Sequence, residues 1–203
     1  MKLLRRIGVL GAALLVTSAL YAQKPYPTAA ARGQYLAFLD SDDLWLRDKL
    51  RAQVEFMQQN DSAFSFCSYR RFTDDGAIGK AIQIPETITY EKLLKHNVIG
   101  CLTVLIDREK TLPVTMTAGG YDDYFAWLQI LKCGHIAHGL QRDLARYRLS
   151  AKSISANKLN SAVLTWRTYR NLERLPLGKA LWCFVNYTVR SLYSRLPTVR
   201  SGI

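Results

Sequence analysis

Gly33-Gln34-Tyr35-Leu36-Ala37-Phe38-Leu39-Asp40-Ser41-Asp42-Asp43-Leu44-Trp45 is the stretch on which the fold turns. Tyr35–Leu39 is an uninterrupted apolar run that ends in acids. A short run of this kind reads as a buried strand, most naturally a parallel one. Three carboxylates follow in four residues: Asp40, Asp42 and Asp43. They repel one another, and a fold accepts that where a cation or a cationic ligand neutralises them. Oxygen donors at a strand end suit Mg²⁺ or Mn²⁺ bridging a diphosphate. Open α/β sheets bind their ligands beyond the carboxyl ends of their strands. The competing reading is structural: Asp42 or Asp43 caps a helix that begins near Leu44. The two roles are compatible.

Outward from this stretch the pattern is α/β, a mixed sheet with helices. Leu46, Leu50, Val54 and Met57 give Asp43–Gln58 helical spacing. Ala63–Arg71 alternates as a strand, and Asp74-Asp75-Gly76 is a turn. Thr89–Lys95 reads as a short helix, Cys101–Ile106 as a strand, and Tyr121–Lys132 as a helix stopped by Gly134. Ile136–Arg148 reads as strand, loop, strand. Two helices close the chain, near Ala156–Asn171 and Leu177–Leu196, with Pro176 between them. Before the deciding stretch, Thr28–Arg32 reads as the end of a helix stopped by Gly33.

Composition bounds the function. The chain has 203 residues, 49% hydrophobic and 22% charged, enough for a domain with its own core and unlike a disordered or collagen-like sequence. No apolar run reaches the roughly 18–20 residues of a membrane span. The net charge of +12 calls for an anionic partner, but it is unevenly placed. Residues 1–33 carry five bases and no acid, residues 34–139 eleven bases and fourteen acids, and residues 140–203 twelve bases and two acids. An acidic centre between basic ends does not suit a nucleic-acid binder, which places base on its reading element. In Leu177–Leu196, apolar residues recur at Leu177, Ala180, Leu181, Phe184, Val185 and Leu192, with Lys179, Arg190 and Arg195 adding charge. That helix suits an anionic membrane surface, or simply a packed helix with a solvated basic face. Cys67, Cys101, Cys133 and Cys183 show no metal-ligand spacing and read as four buried free thiols. His96, His135 and His138 fit no triad or zinc pattern.

The N-terminus is ambiguous. Lys2, Arg5 and Arg6 precede the uncharged stretch Ile7–Ala22, which resembles a secretory signal except that Leu20 spoils the cleavage site. A buried helix over Ile7–Leu20 is the alternative, and a replaced start of the domain is the third.

Asp122 and Asp123 open the helix that carries Trp127. Acids in a first helical turn are favoured by the dipole, and a carboxylate here can also serve as a general base. Tyr121, Tyr124 and Trp127 would then be aromatic walls for a sugar face, or else ordinary core.

These residues carry a resemblance. Gly33–Trp45 resembles the "G-x-Y-[IL]-A-F-L-D-S-D-D" segment of family 2 glycosyltransferases, the inverting group with the GT-A fold. Asp123-Tyr124-Phe125-Ala126-Trp127-Leu128 resembles that family's "[ED]-D-Y-x-x-W-L" segment, and Leu144-Ala145-Arg146-Tyr147-Arg148 with Ser153-Ile154-Ser155 its "L-x-x-Y-R…S-x-S" tail. The chain is similar to bacterial members that build cell-surface polysaccharides such as teichuronic acid. The resemblance implies a partial GT-A domain over 29–155, C-terminal basic amphipathic helices over 156–203, and a signal-like or replaced segment over 1–28. It implies that Asp42 touches Mg²⁺ or Mn²⁺, with Asp40 on the metal shell or the nucleotide ribose. Asp123 is then the base that deprotonates the acceptor hydroxyl, and Arg148 a diphosphate or acceptor-phosphate contact, unless it is merely ion-paired.

The partners implied are a nucleotide-sugar donor, a saccharide or lipid-linked acceptor and a peripheral membrane contact, with no nucleic acid. The implied place is the cytoplasm, at the inner face of the plasma membrane. The family's opening strand and nucleotide loop have no counterpart in Met1–Thr28, and Ala118-Gly119-Gly120 stands where the family often carries an arginine. The rival reading is a non-catalytic remnant or a membrane-associated binding module.

Overall fold

A computed structural model describes residues 12–17, 28, 31–111, 113–114, 116, 122–149 and 158–193. The deciding stretch forms β2 (Tyr35–Asp40). On its two sides stand β1 (Ala12–Thr17), parallel to it, and β7 (Leu105–Asp107), antiparallel. The other strands are β3 (Leu44–Trp45), β4 (Phe64–Phe72), β5 (Ile78–Ile82), β6 (Thr87–Ile88) and β8 (Ala137–Arg148). They make one mixed sheet in the order β1-β2-β7-β4-β8-β3, with β5 paired to β4 and β6 to β8. The helices are α1 (Lys49–Gln59), α2 (Tyr90–Lys95), α3 (Asp122–Lys132), α4 (Lys158–Arg167) and α5 (Leu177–Tyr193). A π-helical turn, Thr168–Leu172, extends α4.

The apolar run of β2 is buried because both faces of the sheet are covered. Alternation sends Leu36 and Phe38 into one core with Phe64, Phe66 and Trp127. It sends Tyr35 and Ala37 into another with Met57 and Leu105. Tyr169, Leu175, Ala180 and Cys183 join the first core, so the two C-terminal helices close the same interior as the sheet.

Several sequence expectations are corrected. The helix alternative for Ile7–Leu20 gives way over Ala12–Thr17 to an edge strand: Ala12 faces Tyr35 and Thr17 faces Asp40 along the whole of β2. The edge of β2 offers unpaired amides and carbonyls, and an apolar segment satisfies them as well as a helix satisfies its own. Residues 1–11 and 18–27, with most of the cleavage motif, lie outside the described residues, as do residues 29–30, Ala118–Gly120, Tyr121 and Ser153–Ser155.

The helix expected from Asp43 starts only at Lys49, with Asp48 at its cap and its carboxylate turned to Arg51, 2.7 Å away. Leu44 and Trp45 are taken instead by β8, opposite Arg146 and Ala145, and the Trp45 indole donates to the Leu102 carbonyl at 2.8 Å. Cys101–Thr103 is a single 3₁₀ turn ahead of β7. Ile136–Arg148 is one bulged strand, not two: Gln141 and Arg142 bulge out, exposed, between Leu140 and Asp143. Gly139 is required there, because a Cβ would come within 2.1 Å of the Pro85 carbonyl. Of the four thiols, Cys67 and Cys183 are buried, Cys101 is half-buried and Cys133 is exposed.

Lys49 is fully buried between Trp45, whose ring lies 4.2 Å from its Nζ, and the Val104 carbonyl at 3.5 Å. Burial pulls its pKa down to about 8. The unfolded chain holds this proton up to about pH 10.4. The folded state therefore binds fewer protons between pH 8 and 10, and stability rises across that window, while below it the full cost of the buried charge stands. We expect Lys49→Met to be more stable than the wild type at pH 7 by up to roughly 3 kcal/mol, with the gap closing towards pH 10. Urea unfolding of both proteins at the two pH values checks this, and a gap independent of pH contradicts it.

Candidate active site

At the carboxyl end of β2 the chain turns at once. Asp40 ends the strand, the Asp43 amide donates to the Asp40 carbonyl at 3.1 Å, and β3 begins. Asp40 and Asp42 are half-buried at this rim, while Asp43 is only 5% exposed. The Asp43 carboxylate accepts the backbone N–H of Arg148 at 2.8 Å. It therefore pins the acidic turn to the end of β8, and is not the helix cap expected of it. Burial pushes the Asp43 carboxyl up to about 7 against that hydrogen bond, and the charges of Asp40 and Asp42 add to the rise.

Arg148 completes the latch from the other side. Its Nε donates to the Asp42 carbonyl at 3.0 Å, its Nη1 pairs with the Asp74 carboxylate at 2.6 Å, and its guanidinium lies over the Phe72 ring at 4.6 Å. Asp143, inside β8, pairs with Arg70 at 2.6 Å and with Arg146 at 2.5 Å.

Asp123 stands in the first turn of α3, half-buried, its carboxylate accepting the Tyr124 N–H at 2.7 Å. The 3₁₀ turn Cys101–Thr103 carries a thiol that feels charges from both acidic groups. Burial is the main reason the Cys101 thiol is held far above its ordinary pKa, and the negative charges of Asp123, Asp40 and Asp43 raise it further, in that order. Three carboxylates from two elements thus act on one thiol. The structure gathers Asp40, Asp42, Asp43 and Arg148 by direct contacts, while Asp123 is linked to them only through its charge acting on Cys101.

The aromatic walls expected from α3 are not walls. Tyr124 and Trp127 are buried core: Trp127 packs against Phe38 and Phe64, ring centroids 5.4 Å away in each case. The Tyr124 hydroxyl donates to the Leu93 carbonyl at 3.2 Å. Spacing of i and i+3 on a helix that covers a sheet points inward. Asp43 as a latch and Cys101 as a thiol that feels the acids were missed by sequence reasoning. The only signal for Asp43 was a third acid directly beside the other two.

Among the described residues, no group of three or more His, Cys, Asp and Glu side chains could hold a metal ion alone. Two half-exposed carboxylates, Asp40 and Asp42, fit a hard cation that takes its remaining oxygens from a diphosphate and water.

The family model "Glycosyl transferase family 2" matches residues 28–110. A Bacillus subtilis (strain 168) protein named as the teichuronic acid biosynthesis glycosyltransferase TuaG is 48% identical over 168 residues, 82% of this chain and 67% of that protein. The chain belongs to glycosyl transferase family 2. A second family 2 relative is the Escherichia coli UDP-Glc:alpha-D-GlcNAc-diphosphoundecaprenol beta-1,3-glucosyltransferase WfgD, 36% identical over 85% of this chain and 68% of its own length. The fold is similar to that of S. aureus TarS 1-349 in complex with UDP-GlcNAc, with a TM-score of 0.52 at 11% identity, over 82% of this chain and 51% of that one. The chain thus spans about two thirds of these sequence relatives and half of TarS 1-349.

The latch makes a direct prediction for this glycosyltransferase. Asp43→Ala strands a buried amide and should lower the unfolding free energy by about 1–3 kcal/mol. Asp43→Asn keeps an oxygen acceptor and should retain most of the stability. Urea melts of the two variants check this, and equal losses contradict it.

Proposed function

We propose that this chain carries the catalytic apparatus of a transferase that moves a sugar from a nucleotide-diphosphate sugar to a cell-envelope polysaccharide or lipid-linked acceptor, with inversion. The observation that carries the reading is the acidic turn Asp40–Asp43 at the carboxyl end of β2, held to the end of β8 through Asp43 and Arg148, with Asp123 in the first turn of α3. Ligands of open α/β sheets bind at such an end. The relatives named for teichuronic acid synthesis and for glucosyl transfer from UDP-Glc to a diphosphoundecaprenol-linked sugar support the class of donor and acceptor.

Asp42 would hold Mg²⁺ or Mn²⁺, with Asp40 beside it on the metal or the ribose. The cation would supply charge neutralisation for the departing nucleoside diphosphate. Asp123 takes the proton of the acceptor hydroxyl as its oxygen attacks the anomeric carbon. The bond to the diphosphate breaks on the opposite face, and the carbon inverts. Arg148 reaches a phosphate by releasing Asp74, whose carboxylate is 77% exposed and so a weak competitor in water.

We take residues 29–155 as the transferase part and 156–203 as its helical appendage, with β1 completing the sheet edge. A lipid-linked acceptor places the protein at the cytoplasmic face of the plasma membrane. No helix among the described residues is long and apolar enough to cross a membrane.

Calorimetric titration of the full chain with UDP and Mn²⁺ tests the reading. We expect heat of binding that Asp42→Ala removes. Asp123→Asn should leave that binding intact and lower sugar transfer by about 10²–10⁴-fold. No heat with the wild type would sink the proposal.

A further inference from the structure

α5 shows its two sides plainly. One is packed: Ala180 and Cys183 lie in the core, and Phe184 meets Trp166 edge-on at 5.4 Å and stacks on Tyr187 at 6.1 Å. At about 100° per residue, the opposite arc of roughly 140° carries Leu177, Leu181, Val185, Val189 and Trp182, and no charged residue. All five are open to solvent, from 42% for Val189 to 62% for Trp182. Trp182 is the most exposed large apolar side chain among the described residues.

The apolar arc has a basic border. Lys179 and Arg190 follow it on the helix surface, beyond Trp182 and Asn186. The surrounding sequence, residues 140–203, holds twelve bases and two acids. α5 is 17 residues long and cannot cross a bilayer. Its exposed arc runs about 18 Å along the axis, enough for several apolar anchors in one plane. A second copy of the chain is the poorer occupant. Face-to-face pairing of a two-fold kind would bring the same basic border against itself.

We infer that α5 docks on the surface of an anionic lipid bilayer, lying in the plane with its Leu177–Val189 arc in the boundary between headgroups and acyl chains. Trp182 sits at headgroup level, where an amphipathic ring is favoured. Lys179 and Arg190 meet lipid phosphates. Lys179 gives up Glu91, 2.8 Å away, an exposed pair that water already weakens. Apolar burial and phosphate attraction act together, as interfacial helices require. The inference gives a contact surface to the membrane placement proposed above and rests on that reading only for the purpose of docking. The binding itself needs neither donor nor acceptor.

Flotation of the full chain with vesicles tests it. We expect recovery with phosphatidylcholine–phosphatidylglycerol vesicles, and about tenfold less with phosphatidylcholine alone or at high salt. Leu181→Glu combined with Val185→Glu should cut binding to anionic vesicles by about tenfold or more. Both positions are exposed, and an unchanged circular dichroism spectrum confirms the variant is folded. Brominated lipid should quench tryptophan fluorescence in the wild type, and much less in Trp182→Phe. The inference is overturned if anionic vesicles do not float the wild type, or if the double variant floats equally well. A lipid-free dimer that the same variant dissolves also overturns it. UDP binding read on the same samples separates the two proposals: vesicle binding without nucleotide binding removes the catalytic reading alone, and the reverse removes this one alone.

Discussion

The buried carboxylate of Asp43 is the constraint on which the candidate site depends. It has one good partner, the Arg148 amide, and two unfavourable neighbours, Asp40 and Asp42. A charge so placed would ordinarily be expelled to water. It stays because the chain on both sides is committed: β2 before it is buried on both faces, and β3 after it is paired to β8. The result is an acidic turn whose backbone is held and whose other two carboxylates remain at the rim. The acids are thus held at a fixed place at the end of β2.

A second buried carboxylate fixes the other half of the site. The Glu173 side chain is fully buried and accepts from the Tyr90 hydroxyl at 2.7 Å, from the Gln129 amide and from Lys132 at 2.9 Å. It joins α2, α3 and the turn before α5. The orientation of α3, and with it Asp123, therefore depends on the C-terminal helices. Removing one partner of such a group costs more than the group contributes when satisfied. The tail is an element of the transferase interior on one side, with its apolar arc turned outward on the other.

Much of this was legible in the residues. Apolar runs and turn residues located β2, β4, α2 and α3 within a residue or two and the start of α5 at Leu177, because the pattern of each is local to its own length. Leu44–Trp45 was misread as helix because its partner, Arg146–Ala145, lies a hundred residues away. Local spacing cannot register such a pairing. The break expected in β8 failed for a similar reason: Gln141 and Arg142 are polar because they bulge, not because the strand ends. Tyr124 and Trp127 have the right types for a sugar face, but helical spacing alone does not say which side of α3 meets the sheet. Asp40, Asp42, Asp43 and Asp123 were all named from sequence. That three of them act on Cys101 was not, since no spacing rule links a 3₁₀ turn to a strand end sixty residues earlier.

The charge of +12 resolves into parts with different tasks. The acidic centre supplies the proposed metal and base carboxylates, and the basic tail supplies the edge of α5. The central claim is that Asp40, Asp42 and Asp123 face one nucleotide-diphosphate site at the carboxyl end of β2. Crystals of the full chain grown with UDP and Mn²⁺, read by anomalous scattering at the manganese edge, test it most directly. The account predicts one strong peak bonded to Asp42, with the diphosphate beside it and the Asp123 carboxylate facing the same space. Manganese bound elsewhere, or UDP seated away from the end of β2, would contradict it.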